Sequence, residues 1–163
     1  MGFREKILSW DALPAWRDAQ RRLGRTVVAT NGCFDLLHLG HATYLEAARA
    51  LGDLLVVGVN SDDSVRALKG PSRPVNPEND RAALIAALAS VDAVCLFPEV
   101  SARNFLARLQ PDVWAKGADY TLDTLNPEER AVVEQAGGRI AFLDLVPGRS
   151  TTRTLQRLGA TGR

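Results

Sequence analysis

The chain has 163 residues, 46% hydrophobic and 24% charged, with a formal net charge of +1 and a pI near 7.8. That size holds one domain with a full hydrophobic core, and the near-neutral charge excludes the overall basic field of a nonspecific nucleic-acid binder. No stretch approaches the ~18 apolar residues of a membrane span and Met1 to Trp10 lacks an apolar signal core, so a cytoplasmic protein without a membrane partner is expected.

In chain order, residues 1–24 read as a helical lead-in, with Arg21, Arg22 and Arg25 forming a solvated face. Five apolar strand candidates follow at 26–31, 54–60, 92–97, 112–116 and 139–144, alternating with amphipathic segments. Tyr44, Leu45, Ala48 and Leu51 mark the first helix. Leu84, Ile85 and Leu88 mark a helix after Asn76-Pro77-Glu78, and Phe105, Leu106 and Leu109 mark the next. Asn76-Pro77 and Asn126-Pro127 each place a capping residue before proline, and the second adds a Glu suited to a capping box. The alternation predicts an α/β protein: one Rossmann-like, doubly wound domain with a five-stranded parallel sheet in the order 3-2-1-4-5, and a cleft at the switch point. Cys33 and Cys95 are far apart in sequence and read as buried free thiols of a reducing compartment.

Both histidines of the chain, His38 and His41, fall between the first strand and the first helix. Imidazoles three residues apart can share a helix face and serve one ligand. Gly40 stands at the helix start, where exposed N–H groups attract anions and a missing Cβ admits a ligand. The pair can also cap a helix or bind adventitious metal, but two imidazoles without Cys at ligand spacing do not make a zinc site.

Three further segments are irregular: Leu68 to Val75, Lys116 to Tyr120, and Pro147 to Thr152, which opens the last helix. Loops after parallel strands gather at the carboxyl end of the sheet. They would bring Lys69, Arg73, Lys116, Arg149 and the hydroxyls of Ser150, Thr151 and Thr152 beside the histidines. A set rich in donors and poor in nucleophiles suits transfer of a nucleotidyl group from a nucleoside triphosphate to a phosphate oxygen, which needs positioning and charge neutralisation. Lys69 and Arg73 also read as solvated loop charges. Ser150 fits an N-cap as well as an anion site, Asp119 and Tyr120 fit a turn, and Asp35 fits a turn residue, a magnesium ligand or a hydrogen-bond acceptor for substrate.

Asn31-Gly32-Cys33-Phe34-Asp35-Leu36-Leu37-His38-Leu39-Gly40-His41 closely resembles the signature of the H-x-G-H nucleotidyltransferase superfamily. Leu68 to Asn76, Lys116 to Tyr120 and Gly148 to Thr152 are similar to the bacterial D-glycero-β-D-manno-heptose 1-phosphate adenylyltransferases. The resemblance runs from about residue 26 to residue 158 and makes 25–163 the nucleotidyltransferase domain. It implies adenylyl transfer from ATP, with Mg²⁺, to a sugar 1-phosphate, with release of pyrophosphate. It implies catalytic roles for His38, His41 and Lys69, and nucleotide binding by Asn31, Gly32, Cys33, Phe34, Gly40, Lys116, Gly117, Asp119, Ser150, Thr151 and Thr152. Asp35 and Arg73 would bind the acceptor, and no protein metal ligand is implied. Ala118 stands where many relatives have glycine. Relatives often pair as homodimers, and many are fused to a sugar kinase, so in a chain of this length a separate kinase is expected to supply the acceptor. A cytidylyltransferase acting on glycerol 3-phosphate or another phosphorylated alcohol is the alternative.

Overall fold

The computed structural model describes residues 2–160. A short 3₁₀ turn, Phe3–Lys6, leads into β1 (Ile7–Leu8), and the following elements are α1 (Leu13–Arg22), β2 (Val27–Gly32), α2 (Leu39–Arg49), β3 (Leu54–Asn60), α3 (Asp62–Lys69) and α4 (Glu78–Ala86). The chain continues through β4 (Ala93–Phe97), α5 (Arg103–Leu109), β5 (Val113–Gly117), α6 (Pro127–Gln135), β6 (Arg139–Leu143) and α7 (Thr151–Ala160).

All strands are parallel and form one six-stranded sheet in the order β1-β4-β3-β2-β5-β6. This corrects the expected five strands in the order 3-2-1-4-5. The sixth is Ile7–Leu8, two residues inside the supposed helical lead-in that pair with Val94 and Cys95 at the edge. A strand this short carries no period-2 pattern, because the neighbouring edge, not its own sequence, makes it a strand. The five longer strands keep the neighbours expected of them.

Alternation within the strands divides the core between two faces. Leu55, Val57 and Val59 of β3 pack with Leu45 and Ala48 of α2 and Ile85 of α4, whereas Val56 faces Phe105, Leu106 and Leu109 of α5 and Leu13 of α1. Burying each such side chain contributes about 1.5–3 kcal/mol. Leu84, expected on the apolar stripe of α4, is 47% exposed. Its place on the buried face is taken by Ala82, Ile85 and the side chain of Arg81. The lead-in is not a detached arm: Arg17 of α1 is buried and donates from Nη2 to Asp112 at 2.9 Å and from Nε to the Gln110 carbonyl at 3.1 Å.

Three aspartates set the register at the amino ends of the strands. Asp53 accepts from Thr26 N at 2.8 Å, Asp92 from Leu55 N at 2.8 Å and Asp112 from Val27 N at 2.7 Å. Each carboxylate satisfies an N–H that the parallel ladder leaves unpaired where a strand begins. The carboxyl ends are thereby left to the loops.

Gly58, in the middle of β3, lies beneath Phe105: a Cβ there would stand 2.8 Å from the ring. Gly58→Ala is expected to lose about 1–3 kcal/mol of stability through overpacking. Urea titration of the two proteins checks this, and an unchanged midpoint would mean that the ring yields freely.

Candidate nucleotide-binding cleft

The turn after β2 is built by two buried clamps. Phe34 takes φ 47°, a left-handed conformation that costs a residue with a side chain about 1–2 kcal/mol. Arg81, 0% exposed, holds the turn in place: Nη1 donates to the Cys33 carbonyl at 2.6 Å, Nε to the Asn76 carbonyl at 3.0 Å and Nη2 to Asp62 at 2.8 Å. Beside it the buried Asp35 carboxylate accepts from Arg73 Nε at 2.6 Å, from Val75 N and from Asn76 N, both at 2.9 Å. Burial by itself would raise the Asp35 carboxyl, but the Asn76 and Val75 amides and Arg73 together hold it below its ordinary value.

These bonds redefine several expected roles. Both Asp35 oxygens are committed within the protein, so Asp35 positions the 73–76 loop rather than presenting a free carboxylate to substrate. Asn76 is not the cap of α4: its Nδ2 donates to the Asp35 carbonyl at 2.8 Å, and Pro77 occupies the cap position. Lys69 is the last residue of α3 rather than a loop residue, and Gly70 at φ 97° ends that helix in a conformation suited to glycine. Asn126 does cap α6, accepting from Glu128 N and Glu129 N. Glu129 does not complete a capping box; its Oε1 accepts from Ser101 Oγ at 2.9 Å and Ala102 N at 2.8 Å instead.

His38 is the N-terminal flanking residue of α2, and its ring stacks on that of His41, centroids 3.9 Å apart. Phe34 tilts against His41 at 5.3 Å. A Cβ on Gly40 would lie 2.9 Å from the His38 ring and 3.1 Å from Arg149 Cβ, so glycine is what allows the stacked pair and α7 to approach. Burial, with His38 beside it, pushes the His41 imidazole down to about 4; burial and Arg149 also lower His38. Both rings are therefore neutral at pH 7. Among the described residues the Nδ1 atom of each is buried without a hydrogen-bond partner, which leaves Nε2 to meet a ligand.

On the adjoining wall Ser150 caps α7, accepting from Arg153 N at 3.2 Å, and Thr151 donates to the Leu36 carbonyl at 3.4 Å. The two walls enclose one cleft of two adjoining lobes, about 550 and 420 Å³, sizes ordinary for small-molecule sites. Asn31, Gly32, Cys33, Phe34 and His41 line both lobes, as do Lys69, Lys116, Thr151 and Thr152. His38, Gly40, Gly117, Asp119 and Ser150 line the smaller lobe, and Asp35 and Arg73 the larger. Lys116 lies over the rings of Trp114 and Tyr120, at 5.1 and 4.3 Å, and burial lowers its pKa while Glu129 and Asp119 oppose the shift.

Sequence reasoning missed Arg81, Asn60 and the hydroxyl of Tyr44, which bonds Thr30 at 2.8 Å and donates to the Ala115 carbonyl at 2.9 Å beneath the histidine turn. A cation four residues before Ile85, on the buried face of α4, was the available signal for Arg81. Burial also pushes the Cys33 thiol up, against the pull of Lys69, Arg81 and Arg73, so the cleft offers donors and cations without an activated thiolate. Among the described residues no group of three His, Cys, Asp or Glu is placed to hold a metal ion, and no helix is long and apolar enough to cross a membrane.

A cleft at the carboxyl edge of β2 and β5, with cations, neutral imidazoles and a helix N-terminus turned inward, defines a phosphate-binding α/β protein of the nucleotide-handling kind. The cytidylyltransferase-like family model matches residues 29–144, and the chain belongs to that family of nucleotidyltransferases. It is 52% identical over 156 residues to the bifunctional protein HldE of Methylobacillus flagellatus, covering 96% of this chain and 32% of that protein. The HldE of Mesorhizobium japonicum is 53% identical over 146 residues, 90% of this chain and 28% of the relative. The chain thus spans about a third of the length of these curated relatives. A solved structure, the lipopolysaccharide core biosynthesis protein from Thermoplasma volcanium, superposes with a TM-score of 0.62 at 31% identity, covering 76% of this chain and 98% of that one.

His41 titrates near 4 when folded and near 6.5 when unfolded, so the unfolded chain takes up the proton first and stability falls as pH drops through that window. Denaturant titrations at stepped pH should show a slope in the wild type that shrinks in His41→Asn. Equal slopes in the two proteins would refute the depressed imidazole.

Proposed function

We propose that this chain transfers the adenylyl group of ATP to a sugar 1-phosphate, D-glycero-β-D-manno-heptose 1-phosphate, giving ADP-heptose and pyrophosphate. The observation that carries the reading is the single hollow shared by the stacked His38–His41 pair and the Ser150–Thr152 turn. The extensive identity to proteins named HldE, and the resemblance of the 68–76, 116–120 and 148–152 segments to heptose 1-phosphate adenylyltransferases, support the choice of reaction.

A phosphate oxygen of the acceptor attacks the α-phosphorus of ATP. The bond from that phosphorus to the bridging oxygen breaks, and pyrophosphate leaves with the electron pair. The histidines donate hydrogen bonds to the triphosphate where charge builds at the α-phosphorus and leaving group. Lys69 and Lys116, lining both lobes, offset the repulsion between two reacting anions. The capped start of α7 supplies N–H groups and the positive end of the helix dipole. Magnesium enters as the counterion of ATP; Asp35 is committed to the 73–76 loop, and among the described residues no group of three His, Cys, Asp or Glu is placed to hold a metal ion.

The acceptor's phosphate implies a sugar kinase upstream, and ATP as donor fits a cytoplasmic reaction. His38→Ala and His41→Ala are each expected to lower kcat about a hundredfold or more without unfolding the protein. Lys69→Ala should raise the acceptor KM and slow turnover together. Assays with ATP and CTP against heptose 1-phosphate and glycerol 3-phosphate decide the substrates. Preference for CTP with glycerol 3-phosphate would replace this reading by a cytidylyltransferase, and near wild-type kcat in either histidine variant would end it.

A further inference from the structure

The two lobes share a floor and differ in their walls. The smaller adds His38, Arg149 and Ser150 to apolar surfaces of Leu145 and Val146, a combination suited to a triphosphate with its base. The larger replaces these with Asn60, Thr124, Asn126 and Glu129. With Asp35 committed to the 73–76 loop, Glu129 is the other carboxylate of a lobe whose cations are Lys69, Arg73 and Lys116, and it lies near enough to Lys116 to oppose the lowering of that amine's pKa. It is also preorganised: Oε1 accepts from Ser101 Oγ and Ala102 N, whereas Oε2 accepts no hydrogen bond among the described residues. Asn60, 4% exposed, is likewise fixed, its Nδ2 donating to the Glu99 carbonyl at 3.3 Å.

We propose that the larger lobe binds the hydroxyls of the acceptor sugar and that Glu129, through Oε2, is the residue that selects a polyhydroxylated acceptor. This rests on the adenylyl-transfer reading above. A carboxylate is the strongest neutral-pH acceptor a side chain offers to a sugar hydroxyl, and its bonds to such donors are charge-assisted. Its charge does double service, because it also turns away a second triphosphate from the lobe meant for the acceptor. The acceptor phosphate is left to Lys69 and Lys116 at the junction, facing the α-phosphorus held in the smaller lobe.

The test is Glu129→Gln in the full chain, which keeps an oxygen for Ser101 and Ala102 and removes the charged acceptor. With heptose 1-phosphate varied at saturating ATP, kcat/KM should fall about tenfold to a hundredfold, while KM for ATP and the Kd of ADP hold. ADP-heptose should correspondingly lose its advantage over ADP in binding. If nucleotide and acceptor constants shift together, or if neither shifts, Glu129 merely props the wall and the proposal fails. Should the wild type instead use glycerol 3-phosphate, the sugar reading falls, and the assignment of the lobe is decided by whether Glu129→Gln raises KM for that acceptor.

Discussion

The structure turns on Arg81. Its guanidinium, without exposed surface, joins the carbonyl after β2, the carbonyl that precedes α4 and the carboxylate at the start of α3. Three segments far apart in sequence are thus tied to one rigid, planar donor. Removing Asp62 would leave the buried guanidinium without its counter-charge, and removing Arg81 would leave the Cys33 and Asn76 carbonyls without their side-chain donor. The same clamp sustains the left-handed Phe34 and so fixes the height at which His41 meets its neighbours. Asp35 and Arg73 repeat the device beside it, joining the same turn to the 73–76 loop.

The opposite ends of the sheet use charge differently. At the amino ends, Asp53, Asp92 and Asp112 cap the starting N–H groups of neighbouring strands, which pins the register there. At the carboxyl ends, the cleft carries cations and dipoles, and its histidines are kept neutral by burial. Neutral rings can stack at 3.9 Å, an approach two imidazolium ions would resist. A polyanion entering the cleft therefore meets preorganised donors whose own mutual repulsion has been removed in advance.

Family membership and geometry bear on different questions. Resemblance to HldE proteins concerns which reaction a domain of this kind performs. The sorting of side chains between lobes gives one cleft two chemically different ends that share Lys69 and Lys116.

Local chemistry made much of this readable in advance. Apolar runs marked the five long strands, Asn126-Pro127 marked the start of α6, and the segment with His38, Gly40 and His41 marked the turn into α2, because each depends on residues within a few positions of one another. What only the tertiary structure decided depends on distant partners. Ile7 and Leu8 become a strand because β4 offers an open edge. Asn76 gives up a cap to bond Asp35, Glu129 turns from its own helix end to Ser101, and Arg81 is buried because Asp62 and two carbonyls surround it. The residue types were present in the sequence, but a polar side chain takes the partner that is nearest in space when water is excluded, and a linear pattern does not carry that distance.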